Sequence, residues 1–110
     1  MEATQVKVWT KDEVRSLLER SDEAVWRGVV AIDNRQTSDE RAVGDAAHLN
    51  GRGWGKFDAK FGGKMAELVR QWQRGESAYA APLSYNQTLA TRKLLLKYTR
   101  QLTEIANGVE

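Results

Sequence analysis

Fifteen residues, Asn50 to Lys64 (NGRGWGKFDAKFGGK), concentrate the groups most able to do chemistry on a ligand. They hold five glycines, the basic residues Arg52, Lys56, Lys60 and Lys64, and the aromatics Trp54, Phe57 and Phe61. Glycines permit positive φ and close backbone approach to a ligand. Lysine and arginine neutralise phosphate charge, and aromatic rings offer faces on which bases stack. The chemistry this combination points to is nucleic-acid binding. A glycine turn with core aromatics and solvent-facing lysines has the same composition, so both readings stand at the level of sequence.

Catalytic chemistry has fewer visible parts. The one histidine, His48, has no cysteine and no distinctive serine beside it, so a nucleophile triad lacks its components. Asp33, Asp39, Glu40 and Asp45 would bind a divalent cation only if the fold brought them together, and carboxylates at helix starts more commonly serve as caps. A phosphate-binding P-loop needs a glycine five residues before its Gly-Lys pair. Asp58 stands five before Gly63 and Asn50 five before Gly55, and no Ser or Thr follows either lysine. GRGWG also lacks the preceding strand of a dinucleotide fingerprint. The expectation is a protein that is not an enzyme and uses neither cofactor nor metal.

Composition sets the frame around this stretch. A chain of 110 residues with 41% hydrophobic and 29% charged residues reads as one globular domain with a single core. The absence of cysteine excludes a disulfide scaffold and thiolate metal sites. No apolar run approaches the roughly 20 residues of a membrane span, and the N-terminal MEATQVKVW lacks a signal-peptide core. The expected setting is cytoplasmic, with no membrane partner. Net charge is +2, but residues 1–48 carry seven Lys/Arg against ten Asp/Glu, net −3, whereas residues 49–110 carry ten against five, net +5. That asymmetry suggests one basic face turned toward an anionic partner.

Helical patterns supply the elements that must position the basic stretch. Residues 1–9 read as an extended arm. Thr10 and Glu13 form a capping box that opens a first helix over about 11–20, with Val14, Leu17 and Leu18 inward. Ser21 opens a second, with Val25, Trp26, Val29, Val30 and Ile32 on one stripe. Asp33 projects onto that stripe; a helix-end residue bonded to nearby backbone is preferred there over a partly buried carboxylate. Thr37 with Glu40 suggests a third helix near 38–48, with Ala42, Val43, Ala46 and Ala47 inward and Asn50-Gly51 as its stop. A Gly-rich loop over 50–57 leads to a fourth helix from Asp58 to Arg74, whose apolar stripe is Phe61, Met65, Leu68 and Trp72. Gly62-Gly63 inside it costs helix stability unless something approaches the backbone there. Ser84 with Gln87 caps a last helix over about 85–106, with Leu94, Leu95, Tyr98, Leu102 and Ile105 inward and Lys93, Lys97 and Arg100 on the opposite side. Leu89 and Leu96 form a side strip that would suit a partner or a homodimer. The expected core comprises Trp26, Phe61, Leu68, Trp72, Leu94, Tyr98 and Leu102. The fold class is all-α, a compact bundle of about five helices with a central Gly-rich basic loop.

The succession RQTSDE, HLNGRGWGKFDAKF, then L-S-x-x-Q leading to RKLLLKYTRQL and IAN resembles a small uncharacterised domain of phage and mobile-element proteins. That pattern reads roughly Q-T-x-D-E, N-G-x-G-aromatic, D-A-x-F, L-[ST]-x-x-Q and K-Y-x-x-Q-L. The likeness covers about residues 35–107. This chain departs from it in Trp54, where Phe is usual, in Tyr85-Asn86 before Gln87, and in the extra pair Gly62-Gly63. The resemblance implies a setting in DNA metabolism, beside replication or helicase-type modules, and brings no catalytic residues.

Two functional classes follow. In one, the chain binds DNA or RNA with weak sequence specificity through Arg52, Lys56, Lys60 and Lys64, helped by Lys93, Lys97 and Arg100, with Trp54 or Phe57 stacking on an unpaired base. In the other, it is an adaptor or inhibitor docking on a host or phage protein, with Trp54 and Arg52 as anchors of the kind enriched at interface hot spots.

Overall fold

The computed structural model describes residues 8–43 and 53–108, with side chains for all of these except 37–43. Of the expected third helix, Ala46, Ala47 and the Asn50-Gly51 stop lie outside the described residues, as do Asp45, His48 and Arg52, and the side chains of Asp39, Glu40, Ala42 and Val43 are not described. Every regular element among the described residues is helical, and no helix is long and apolar enough to cross a membrane.

Local cap chemistry sets three of the helix starts. The Thr10 hydroxyl accepts from the Glu13 N–H while the Glu13 carboxylate accepts from the Thr10 N–H, opening α1 (Lys11–Arg20). Val14 and Leu18 of α1 are buried. Ser21 turns the chain, and its hydroxyl accepts from Ala24 N–H in the first turn of α2 (Asp22–Val43). Arg92 reaches across from the last third of the chain to the last turn of α1, donating to the Leu18 carbonyl (2.7 Å) and pairing with Asp22.

Helix α2 is 22 residues long and packs against every other α-helix. Val25, Val29 and Ile32 are fully buried on its inner face, and Arg35 and Gln36 continue that face as buried polar residues. The separate helix expected from Thr37–Glu40 is therefore corrected: α2 runs straight through that segment. Within a continuing helix the amides find carbonyls one turn back, so a capping box has no orphan donors to satisfy.

Helix α3 (Ala59–Gln73) follows the turn at residues 56–58 and ends at Gly75, φ +77°, where the Glu76 N–H reaches the Gln71 carbonyl (2.9 Å). Left-handed φ is the conformation glycine adopts without a Cβ penalty, and the long backbone bond closes the helix end. A capping box between Ser84 and Gln87 opens α4 (Tyr85–Leu95). A 3-10 turn over Leu96–Tyr98 then separates α4 from α5 (Thr99–Ala106). The single last helix expected over 85–106 is thus interrupted at Tyr98, whose φ and ψ of −117° and 23° leave the helical region. The ends of the described chain meet: Trp9 N–H donates to Asn107 Oδ1 (2.7 Å) and Asn107 Nδ2 donates to the Trp9 carbonyl (3.0 Å).

The core is a continuous cluster in which residues of all five helices join Trp54 and Leu83. Leu94, Tyr98 and Leu102 are buried as expected, and Trp26 and Leu68 pack against the cluster half-buried. Trp72 is also half-buried, tilted against Trp26 with ring centroids 5.8 Å apart. Phe61 is corrected: it is 38% exposed. The buried face of α3 is Gly62, Met65, Ala66 and Val69, rotated away from the expected stripe. Leu96 packs on the core and only Leu89 of the side strip is exposed.

Candidate nucleic-acid interface

The Gly-rich segment divides into two parts with opposite surroundings. Gly53, Trp54 and Gly55 enter the space between α2, α3 and the 3-10 turn. Trp54 is 2% exposed, so it neither stacks on a base nor anchors a partner, which corrects both expectations for this residue. Its indole N–H donates to Asp33 Oδ1 (3.0 Å), and its ring meets Tyr98 edge-on at 5.1 Å. Gly62 explains how the indole fits against α3. A Cβ there would lie 2.5 Å from Trp54 Cζ2, closer than side-chain carbons approach one another. The indole takes the place of a side chain at position 62, which turns the inward face of α3 toward Gly62 and Ala66 and Phe61 outward. At Gly53, φ +80°, a Cβ would collide with Gln36.

The amides of Gly53, Trp54 and Gly55 donate to side-chain oxygens and are not open to a phosphate. Gly53 N–H donates to Gln101 Oε1 (2.8 Å), and the Gly53 carbonyl accepts from Gln101 Nε2 (2.9 Å). Trp54 N–H donates to Gln36 Oε1 and Gly55 N–H to the Tyr98 hydroxyl, both at 2.8 Å. Buried backbone groups left unpaired would each cost free energy, so these side chains hold the segment in place. Behind Gln101, Arg35 donates to Gln101 Oε1 (3.1 Å) and pairs with Glu104 (2.9 Å). Arg35 holds the Glu104 carboxyl below its usual range against the opposing effect of burial, with Arg100 adding to the effect. Asp33 accepts from Trp54 and pairs with Arg70 (2.9 Å), its side chain only 13% exposed. It is the partly buried carboxylate rather than a helix-end residue bonded to local backbone.

Asp58 joins this interior to the surface. It precedes α3 but makes no side-chain cap; its carboxylate accepts from the Tyr98 hydroxyl (2.6 Å) and pairs with Lys97 (3.1 Å). Burial opposes ionisation of Asp58, yet the Tyr98 hydroxyl and the Lys97 ammonium together hold its pKa below the ordinary value. For Tyr98, burial and the hydrogen bond to Asp58 push the phenol up to about 12, with the Gly55 N–H acting in the other direction.

The second part, residues 56–64, faces outward. Lys56, Lys60 and Lys64 are exposed, Phe57 is 93% exposed, and Phe61 stands beside them. None of these lysines has a carboxylate within ion-pairing distance among the described residues, and neither does Lys93. Elsewhere Arg15, Arg27, Arg35, Arg70, Arg74, Arg92 and Arg100 are all paired. The acidic residues nearest in sequence are engaged, Asp58 with Lys97 and Glu67 with Arg70 and Arg74. The salt bridge from Asp58 brings Lys97 to the start of α3. Lys93 and Arg100 are exposed on the same final rod, and Arg100 is bound to Glu104.

Sequence reasoning missed the polar ring of Arg35, Gln36, Gln101, Tyr98 and Asp58. Its members lie on helix faces that pattern alone assigns to solvent or to apolar packing. Among the described residues no three His, Cys, Asp or Glu side chains are grouped so as to hold a metal ion. No protein-family model matches the chain, and neither does any curated protein or solved structure.

Proposed function

We propose that this chain is a non-catalytic accessory protein that binds nucleic acid through Lys56, Lys60 and Lys64, with Lys93 and Lys97 extending the surface and Arg100 at its margin. The observation that carries this reading is the uneven neutralisation of charge. Lys56, Lys60 and Lys64, around the start of α3, stand exposed without a carboxylate partner among the described residues, while seven of the eight arginines whose side chains are described are paired; Arg20 and Lys11, on α1, are the other cations outside this surface without such a partner. Unneutralised cations displace counterions from a phosphate backbone, and that release drives sequence-independent binding. The amides of residues 53–55 are engaged and take no part in the scheme; the lysine side chains supply its charge. No helix offers an evident set of Asn, Gln and Arg side chains for major-groove reading, which fits weak sequence specificity. The resemblance to phage and mobile-element domains accords with a role in DNA metabolism.

Replacing Lys56, Lys60 and Lys64 with glutamine tests the reading. The triple variant should weaken binding to all nucleic-acid sequences alike and lower the slope of log K against log salt by about 0.7–0.9 per lost contact. Its unfolding midpoint should hardly move, since these side chains face solvent. A folded triple variant that binds as the parent does would end the proposal.

One observation favours the second reading, an adaptor docking on a host or phage protein. Tyr79 and Tyr85 are about four-fifths exposed and Leu89 is 42% exposed, and Tyr79 lies on the rim of a cleft lined by Leu68, Pro82 and Leu83. Exposed tyrosines are common interface anchors. Association that survives nuclease treatment and is lost in Tyr85→Ala would support it.

A further inference from the structure

We infer that the nucleic acid taken by this surface is single-stranded, with successive bases stacking on Phe57 and Phe61. The inference rests on the proposed function and specifies its ligand. Its basis is a short repeat that the structure exposes: Lys56-Phe57, Lys60-Phe61 and Lys64 recur at intervals of four residues, at the entry to a helix whose turn is 3.6 residues. Lys60 and Lys64 therefore stand about one turn apart on α3, and Lys56-Phe57 lies in the turn that leads into it. All three lysines are exposed, as are Phe57 (93%) and Phe61 (38%).

A large apolar ring held almost wholly in water gains favourable apolar burial when a ligand covers it. A phenylalanine ring has no hydrogen-bonding group with which to read a base edge, so a flat face is the contact it offers. A single strand presents one phosphate and one base per nucleotide, and the repeat presents one ammonium and one ring per turn. A duplex presents its phosphates but hides the base faces within the stack, and opening a step costs a few kcal/mol. The rings would thus contribute to single strands and little to duplexes. The aspartate within the repeat does not oppose this, because Asp58 is turned to Tyr98 and Lys97. Nor does Trp54 take part, being buried over Gly62.

The test uses dye-labelled 15-mers of oligo-dT and oligo-U and a mixed-sequence 15-base-pair duplex, read by fluorescence polarisation at low salt. The parent should bind at least one of the single strands more tightly than the duplex, and the relative affinities of oligo-dT and oligo-U show whether DNA or RNA is preferred. Phe57→Ala should weaken single-strand binding about 5- to 150-fold and leave the duplex unchanged, while Phe57→Trp should retain binding. Phe57 is so exposed that its alanine variant keeps the fold, which circular dichroism verifies; Phe61→Ala adds a smaller loss. Equal affinity for duplex and single strands, or unchanged oligomer binding in Phe57→Ala, overturns the inference while leaving the phosphate reading intact. No binding to any of the three probes, including the case in which only a protein partner is bound, removes the proposed function and this inference with it.

Discussion

Trp54 and Phe57 stand three residues apart in a segment of one composition, glycine with aromatic and basic side chains, and their surroundings are opposite. Trp54 is 2% exposed and Phe57 93%. Around Trp54 each backbone amide from Gly53 to Gly55 donates to a side-chain oxygen. Around Phe57 the lysines have no ion-pair partner among the described residues. The difference lies in the partners supplied from distant sequence. Gln36, Asp33, Tyr98 and Gln101 offer acceptors at the first half, and Gly62 offers a space shaped for an indole. In the second half such partners, Tyr98 and Lys97, reach Asp58 and leave the three lysines without a carboxylate among the described residues. Composition reports what a segment could do, and the acceptors built around it decide which part is free to do it.

Breaking the buried half should have the largest effect. Trp54→Ala removes a fully buried indole from the centre of the core and strips Asp33 of a donor, and should cost about 3–5 kcal/mol in urea unfolding. Gly62→Ala attacks the same contact from the other side by driving a methyl group into the indole. A Trp54→Ala variant with near-parental stability would show that the segment is not seated where it stands, and the comparison with Phe57 would fail.

A smaller effect is expected at Gln101, whose amide holds both backbone groups of Gly53 and accepts from Arg35. Gln101→Ala leaves Gly53 N–H and its carbonyl without their partners, and the cost should fall in the range of about 1–3 kcal/mol. Faster amide exchange at Gly53 in the variant, measured by NMR, would locate the loss. Parental exchange at Gly53 would mean that another group holds the segment.

How far the sequence reveals this arrangement depends on the range of the interactions. The capping boxes at Thr10 and Ser84 are legible because donor and acceptor lie three residues apart, and the apolar faces of α1, α2 and α4 because period suffices to find them. The continuation of α2 through Thr37–Glu40 is not legible, since a local cap signal cannot report the packing that keeps the helix going. The inward turn of Trp54 and the outward turn of Phe61 depend on each other through Gly62. Gly62-Gly63 was the one visible signal, marking a backbone closely approached without naming what approaches. Nothing in RKLLLKYTRQL marks the 3-10 turn at Tyr98, because no Gly or Pro is present and the groups that meet Tyr98, Gly55 and Asp58, are about 40 residues away. At the candidate surface, the exposure of the lysines was legible, and which of Trp54 and Phe57 stands exposed was not: the two look alike until the fold separates them.

Tyr98 gives the finest probe of the boundary between the two halves, because its hydroxyl accepts from Gly55, next to the buried Trp54, and donates to Asp58, which holds the exposed Lys97. Its phenol is raised to about 12 in the fold, by burial first and by Asp58 second, against about 10 in an unfolded chain. A group that binds its proton more tightly when folded contributes stability that is fully present below the unfolded pKa and is lost as pH rises through the folded one. The contribution of Tyr98 should therefore be intact below about pH 10 and disappear as the pH approaches about 12. Tyr98→Phe removes the titration, so the stability difference between parent and variant should shrink over that interval and be flat below it. Ultraviolet titration of the parent should show a phenol ionising at about pH 12, and that step should be missing in the variant. If instead the phenols of parent and variant titrate alike apart from amplitude, Tyr98 is not held between Gly55 and Asp58. The exposed half would then lose its link to the core.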